Sequence, residues 1–209
     1  AYRELLLPRA TLVTPNAREA RRLVGEGGGE DAPQPLTPAL YPNGRGSEQP
    51  GSFQSDAAVL PPLSAGERAG VRGTAHPAPV AVVPALAQAL RAQGTQAVAI
   101  TGGDSAPAPG WSLDWIDTPH ASGWLALPRI DTRHAHGTGC TFATSAACAM
   151  ALGFVAADAL VLAKMATTHA LRHGYAAGQG AGPVAARAGF ANDPALMPIM
   201  SWGDDSDFD

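Results

Sequence analysis

The sequence has little charge of either sign and no cluster of basic residues. Only 15% of its residues are Asp, Glu, Lys or Arg, and the net charge at pH 7 is −4. Without a lysine- or arginine-rich stretch, neither a nucleic-acid groove nor a surface for anionic lipid is expected. The apolar runs are short and are interrupted by Gly, Pro or charged residues, so the sequence predicts no signal peptide and no membrane span. The sequence therefore predicts that the protein binds neither nucleic acid nor membranes.

Cysteine and aromatic residues are also scarce. Cys140 and Cys148 are the only two cysteines, eight residues apart in one predicted helix, so their Cα atoms would lie about 12 Å apart, too far for a disulfide. Unbridged cysteines are typical of a reducing compartment, which predicts a cytoplasmic protein. Aromatic residues make up 6% of the 209-residue chain, so its core must consist mainly of Ala, Val and Leu.

Glycine and proline are abundant in one long segment, residues 26–79, which lacks sustained periodicity. A loop of this length is unusual inside a compact domain, so we interpret the segment as a low-complexity insertion, disordered in part. The acidic end, residues 203–209, is interpreted as a solvated tail. The chain is thus predicted to be a single domain that carries this insertion and this tail.

The remaining segments alternate between strand-like and helix-like patterns. Strands are predicted at 10–16 and 97–101 and on both sides of a turn at 119–123, and helices at 17–24, 82–93, 140–152 and 156–173. The succession of strand, turn and helix predicts an α/β fold.

The stretch HGTGCT places two glycines and a cysteine where a helix is predicted to begin. Gly137 and Gly139 permit positive φ and close approach of a ligand to the backbone. The amides of residues 137–140 would then face one concavity, where the helix dipole favours a phosphate or a developing anion. The same field would stabilise a thiolate at Cys140. The pattern alone slightly favours the alternative, a tight turn with an inert, buried thiol.

Asn16 and Glu19 stand three residues apart where a predicted strand enters a helix. They could be an N-cap and its reciprocal partner, which is the interpretation that the spacing alone favours. The alternative is a Mg²⁺–phosphate site, because Mg²⁺ prefers oxygen ligands and such sites lie at the carboxyl ends of strands.

The ITGGD stretch ends another predicted strand, and the amides of Thr101, Gly102 and Gly103 could contact nucleotide phosphates or only form a turn. His169 and His173 have the i, i+4 spacing of metal ligands. No third ligand and no glutamate accompany them, so a zinc site is not expected.

Four segments taken in order resemble the C-terminal half of bacterial hydroxymethylpyrimidine/phosphomethylpyrimidine kinases, thiamine-biosynthesis enzymes of the ribokinase-like superfamily. They are LLPRATLVTPNAREARRLVG, AVAITGGD, PRIDTRHAHGTGCTFATSAACAMALG and HALRHGYAAGQGAGPV. The resemblance implies a three-layer α/β/α sandwich with a mainly parallel sheet and the site at the carboxyl ends of its strands. The family's N-terminal half, with several of its strands, has no counterpart here.

The resemblance also implies catalytic roles. Gly137, Thr138 and Gly139 match the family's anion hole, which holds the transferring phosphoryl group. Cys140 matches the position of the base that takes the proton from the substrate. Phosphoryl transfer needs such an amide cradle, a metal ion and a poised base, because it depends mainly on positioning and charge neutralisation.

ATP and Mg²⁺ are the cofactors that the resemblance implies. Asn16 and Glu19 match the motif that holds Mg²⁺ and its waters beside the ATP phosphates, and Lys164 falls near a helix that lines the nucleotide pocket. The family usually reads KGGH where this chain reads TGGD. A positive charge near the phosphates is therefore missing at Thr101.

The implied activity is ATP-dependent phosphorylation of 4-amino-5-hydroxymethyl-2-methylpyrimidine or its monophosphate. Two alternatives stay open: a pyridoxal or pyridoxine kinase, since relatives with the same cysteine loop act on that ring, and a truncated, non-catalytic nucleotide-binding fragment. With fewer strands than the family, one sheet edge is expected to be exposed or paired with a partner. A homodimer is one arrangement that would cover it.

Overall fold

The computed structural model describes residues 2–25, 82–102, 110–186 and 193–202. The predicted insertion, the acidic tail and Gly103 lie outside these ranges. The described helices and strands are α1 (Ala17–Val24), α2 (Val82–Ala92), β1 (Val98–Thr101), β2 (Trp111–Asp117), β3 (Ser122–Pro128), α3 (Thr138–Ala151), α4 (Ala156–Arg172) and β4 (Ile199–Ser201). A π-helical turn at Tyr2–Leu6 and 3₁₀ turns at Leu7–Arg9 and Pro194–Leu196 complete them.

The four predicted helices are confirmed to within two residues at each end. In α2, the buried side chains of Val83, Leu86, Ala87 and Leu90 recur at the spacing of one helical face. The predicted strand at 10–16 is reduced to two bridging residues, and β4 was not indicated because three residues carry too little periodicity to predict a strand.

All neighbouring strands in the sheet, ordered β1-β2-β3-β4, run antiparallel. This corrects the expectation of a mainly parallel sheet: among the described residues, parallel pairing within it is confined to two bridges, from Val13 to Val98 and from Asn16 to Thr101. The physical reason is the length of the connections. Residues 102–110 and 118–121 join β1 to β2 and β2 to β3, and both are shorter than the dozen or so residues that a parallel crossover needs.

Helices cover both faces of the sheet, which confirms the three-layer α/β/α architecture. The core on one face joins α1 and α2 to the sheet through Ala20, Leu86, Leu90, Val98, Ile100 and Leu113, among others. The core on the other face joins α3 and α4 to it through Ala99, Ile116, Leu125, Phe142, Ala146, Leu160 and Ala163. Both cores are rich in Ala, Val and Leu, as the shortage of aromatic residues predicts. Within the described ranges, no helix has the length and apolar character needed to cross a membrane.

Strand direction brings several chain segments to one end of the sheet. β1 and β3 run in the same direction because each is antiparallel to β2, and segment 10–16 is parallel to β1. Their carboxyl ends therefore lie at the same end of the sheet. From that end α1 begins directly, and the linker to α3 departs after β3.

Candidate functional site

The start of α1 is closed by a reciprocal capping box. The Glu19 amide donates to Asn16 Oδ1 at 2.9 Å, and the Asn16 amide donates to Glu19 Oε2 at 3.0 Å. Two of the donors that a helix leaves unpaired at its N-terminus are thereby satisfied. The capping interpretation of this pair is confirmed. Both side chains remain exposed, so their remaining acceptor positions face solvent.

The end of β1 lies beside this cap. The Thr101 amide donates to the Pro15 carbonyl at 3.0 Å, next to the bridge between Thr101 and Asn16. Gly102 follows, and a Cβ built on it would lie 2.0 Å from the carbonyl oxygen of Leu113. Only a residue without a side chain fits where β1 ends against β2.

Lys164 joins α4 to this strand end from within the protein. Its side chain is 3% exposed, and its ammonium group donates to Asp114 Oδ2 at 2.7 Å, to the Ser112 carbonyl at 2.8 Å and to Ser112 Oγ at 3.0 Å. The other carboxylate oxygen, Asp114 Oδ1, accepts the Gly102 amide at 2.9 Å. All three donors of the ammonium group are thus used within the protein. The prediction that Lys164 contacts the nucleotide directly stays a prediction.

The loop before α3 has the predicted left-handed turn. Gly137 is the N-cap with φ 88°, a conformation that favours glycine. The Thr138 amide donates to the Ala135 carbonyl at 3.3 Å, and its hydroxyl donates to the same carbonyl. The expectation that all four amides face a ligand is therefore wrong for Thr138. The amides of Gly139 and Cys140 lie in the first helical turn, where no earlier helical carbonyl is available to accept them.

Cys140 is exposed in the first turn of α3, and so is Cys148 two turns later. The alternative of a buried thiol at Cys140 is therefore wrong. A Cβ built on the adjacent Gly139 would meet no atom within 4 Å. The first turn of α3 thus contains free space beside Gly139, two backbone donors and an exposed thiol.

The predicted site residues fall into two groups. Hydrogen bonds and bridges link Asn16, Thr101, Gly102 and, through Asp114, Lys164. The second group consists of residues 137–140. Both groups follow segments whose carboxyl ends lie at the same end of the sheet, which is where α/β proteins bind their ligands.

Ser112 and Asp114 are the polar partners that sequence reasoning missed. The sequence SLDWIDT does contain a pattern that could have indicated them. In a strand, every second residue points to the same face, so Ser112, Asp114 and Ile116 share one face. Ile116 marks that face as buried. A buried aspartate on a core face requires a cationic or hydrogen-bonding partner.

The rings of His169, in the last turn of α4, and His173, its C-cap, lie with centroids 4.3 Å apart and planes tilted by 40°, and His173 Nδ1 lies 2.9 Å from the His169 carbonyl oxygen. Over the part of the chain that the structure describes, no group of three or more His, Cys, Asp or Glu side chains could hold a metal ion. The two rings lie against each other at the C-terminal end of α4.

The pKa of His169 lies below its usual value of 6.5, first because of burial and then because of the nearby His173 and Arg172, against the opposing effect of Asp193. The unfolded chain therefore binds this proton more readily than the folded protein. The stability that this difference contributes is complete above pH 6.5 and is lost as the pH falls through the lower, folded pKa. We expect His169→Gln to flatten the dependence of the free energy of unfolding on pH between 7.5 and 5.5, measured by urea denaturation. An equal or steeper dependence in the variant would contradict this assignment.

Solved kinase structures share this architecture. The pyridoxal kinase from Staphylococcus aureus in complex with AMP-PCP and pyridoxal superposes with a TM-score of 0.61 over 88% of this chain and 51% of that one, at 22% identity. The ADP complex of Bacillus subtilis pyridoxal kinase gives a TM-score of 0.58 over 88% of this chain and 50% of that one, at 23% identity. The chain therefore shares the fold of these two kinases.

Sequence similarity is more specific than the fold. Residues 75–185, just over half of the chain, match the family model for phosphomethylpyrimidine kinase, so the chain belongs to the phosphomethylpyrimidine kinase family. The matched range includes Thr101, residues 137–140 and Lys164, whereas Asn16 and Glu19 lie before it.

Individual relatives agree with the family. The hydroxymethylpyrimidine/phosphomethylpyrimidine kinase of Streptomyces coelicolor is 40% identical over 98 residues, 47% of this chain and 35% of that protein. Its counterpart in Synechococcus elongatus is 42% identical over 98 residues, 47% of this chain and 37% of that protein. The thiamine biosynthesis bifunctional protein ThiED of Geobacter sulfurreducens is 36% identical over 98 residues, 47% of this chain and 20% of that protein. The chain thus spans just over a third of the length of the two kinases.

Proposed function

We propose that the chain takes part in ATP-dependent phosphorylation of 4-amino-5-hydroxymethyl-2-methylpyrimidine or its monophosphate, a step of thiamine biosynthesis. The observation that carries the proposal is the family match over residues 75–185, which contains the α3 loop with its left-handed Gly137 and exposed Cys140. The names of the relatives from Streptomyces, Synechococcus and Geobacter support the same reaction and pathway.

The described residues fit a phosphate group at the start of α3. This helix is 14 residues long, and the positive end of its dipole favours an anion. The free space beside Gly139 leaves room for one. We propose that the amides of Gly139 and Cys140 hold the transferring phosphoryl group, with Gly137 and Thr138 shaping the turn that presents them.

The residues at the start of α1 fit Mg²⁺ only when it is bound together with phosphate. Asn16 and Glu19 offer one carboxylate and one amide oxygen, and each already accepts a hydrogen bond within the capping box. Mg²⁺ is often held by one or two carboxylates together with water and substrate phosphates, so this small donor set is sufficient. The ion would neutralise charge on the phosphates; Asn16 and Glu19 would orient it.

Cys140 is the proposed base. Its thiolate would accept the proton of the substrate hydroxyl while the hydroxyl oxygen bonds to the γ-phosphorus and the bond from phosphorus to the ADP oxygen breaks. Its exposure in the first turn of α3 supports access to a substrate. The carboxyl end of β1, at Thr101 and Gly102, is proposed to lie beside the nucleotide phosphates. The amides of these two residues already donate to the Pro15 carbonyl and to Asp114 Oδ1, so the predicted phosphate contact through them is wrong, and an amide contact is proposed only for Gly103, the next residue in the sequence.

The proposal is tested by incubating the chain with MgATP and, separately, the pyrimidine alcohol, its monophosphate, pyridoxal or no acceptor. The phosphorylated product is identified by mass spectrometry. We expect product with one or both pyrimidines. Product with pyridoxal only would favour the second candidate, a pyridoxal kinase, which the shared fold with the Staphylococcus and Bacillus enzymes supports. ATP binding without any product would favour a non-catalytic nucleotide-binding role.

Glu19→Gln separates the metal role of Glu19 from its capping role. Glutamine preserves the capping box, so the free energy of unfolding should change by less than about 0.5 kcal/mol. Loss of the carboxylate should raise the Mg²⁺ concentration needed for half-maximal activity by about tenfold, because Mg²⁺ binds carboxylates in preference to amides. Asn16→Ala shows what loss of the cap costs, about 1 kcal/mol; because it also removes the amide oxygen proposed for Mg²⁺, only its free energy of unfolding is compared with that of Glu19→Gln. An unchanged Mg²⁺ requirement in Glu19→Gln would leave Glu19 with capping alone.

Cytoplasmic location and a homodimer are further proposals. Two exposed, unbridged cysteines support a reducing compartment. Exposed Ile199 and Trp202, on and beside strand β4, support an edge that a second chain could cover.

A further inference from the structure

The buried pair of Lys164 and Asp114 is the strongest polar feature that the proposed chemistry does not use. Both side chains are nearly excluded from solvent, at 3% and 8% exposure. Every donor of the ammonium group and both oxygens of the carboxylate have partners within the protein. The ammonium group therefore has no donor left for a ligand.

Stability does not account for this network. Replacing a buried ion pair by apolar residues of similar size is often neutral or stabilising, because desolvation of the two charges offsets their attraction. We therefore ask which neighbouring group the pair holds in position. Among the residues that the structure describes, its one hydrogen bond outside β2 and α4 is the one from the Gly102 amide, at the carboxyl end of β1.

That contact fixes the strand end where the phosphates are proposed to bind. Thr101 pairs with Asp114 in the sheet, and Thr101 also bridges to Asn16 at the start of α1. Gly102 has no room for a side chain against Leu113, so its position depends on the backbone and on the acceptor at Asp114. Lys164 neutralises the Asp114 carboxylate. Without Lys164, this carboxylate would be an unpaired negative charge near the proposed polyphosphate.

We propose that Asp114 is a positioning residue for nucleotide binding, which holds the Gly102 amide through Oδ1, and that Lys164 acts through Asp114 by neutralising it. The inference rests on the proposed function in placing ATP phosphates at this strand end. The pair then determines affinity for ATP and has little effect on the affinity for the phosphate acceptor.

Two charge-neutral double variants isolate the hydrogen bond to Gly102. K164M/D114N keeps an acceptor for the Gly102 amide, whereas K164M/D114L removes it with little change in side-chain size. Neither leaves a buried unpaired charge, so both are expected to fold, which circular dichroism verifies. The dissociation constant for MgATP, measured by calorimetry, should be at least tenfold higher in K164M/D114L than in K164M/D114N. KM for the pyrimidine should differ between them by less than twofold.

A ratio of MgATP dissociation constants below two, or an equal rise in both KM values, would overturn the proposal. If K164M/D114L does not fold, K164M/D114A also lacks the acceptor and replaces it in the same comparison. R91M is the control, since Arg91 pairs with Asp117 at the opposite end of β2, with 3.1 Å between Nη1 and Oδ1, and should leave the MgATP constant unchanged. Calorimetry measures MgATP binding without turnover. If the wild-type chain binds MgATP but forms no product, that result counts against the proposed function. The ratio of the two MgATP dissociation constants then still decides the role of Asp114.

Discussion

Cys140→Ala is expected to lower kcat for phosphoryl transfer by about 10²–10⁴-fold, the usual contribution of a positioned acid or base. Cys140 is exposed in the first turn of α3, and alanine has a higher helix propensity than cysteine. The substitution should therefore remove the proposed proton acceptor without destabilising the fold. KM for ATP should change little, because the backbone amides that are proposed to hold the phosphoryl group remain.

Cys148 provides the matched control for this experiment. It lies on the same helix, is equally free of a disulfide and is also exposed, but it is two turns from the loop. Cys148→Ala should leave both kcat and the melting temperature unchanged. If Cys140→Ala retained turnover within twofold of the wild type, Cys140 would not be the base, and proton transfer would have to use another group.

Gly102→Ala is expected to destabilise the protein by about 3 kcal/mol or more, at or above the upper end of what overpacking usually costs. The new Cβ would lie 2.0 Å from the Leu113 carbonyl oxygen, a backbone atom within β2. The clash cannot be relieved by rotating a side chain, so β1 and β2 must separate at their pairing. Urea denaturation measures the loss, with a reduced melting temperature as the second readout.

Gly139→Ala is the counterpart on the other side of the proposed site. A Cβ at Gly139 meets no atom within 4 Å, so stability should be unchanged or raised by about 0.5–1 kcal/mol, the difference between glycine and alanine in a helix. Turnover should nevertheless fall, because the methyl group occupies the space beside the amides. A fully active Gly139→Ala would contradict the proposed phosphoryl site, and a stable Gly102→Ala would contradict the described contact of β1 with β2.

Much of the local structure was predictable because its causes lie within a few residues. The helix α1 has its reciprocal cap at Asn16 and Glu19 and ends at Gly25, whose φ is 94°. The turn at Gly137 was likewise predictable, because glycine adopts positive φ without steric cost. The family resemblance, which depends on ordered motifs, was confirmed by the match over residues 75–185.

Other features depend on which elements meet in space. The pairs β1–β2 and β2–β3 are antiparallel because their connections are short, although the resemblance implied a mainly parallel sheet. The local pattern slightly favoured a buried thiol at Cys140 and the family resemblance implied a reactive one, and only the packing of α3 shows that Cys140 is exposed.

The amino-acid sequence alone determined the helices, the left-handed turn at Gly137 and the family, because propensity, capping and motif order act over short distances along the chain. The tertiary structure alone decided the pairing of Lys164 with Asp114, which lies fifty residues earlier. It also decided the hydrogen bond from the Gly102 amide to Asp114 Oδ1. A buried charge must find its partner in space. No pattern along the chain specifies which strand α4 will cover.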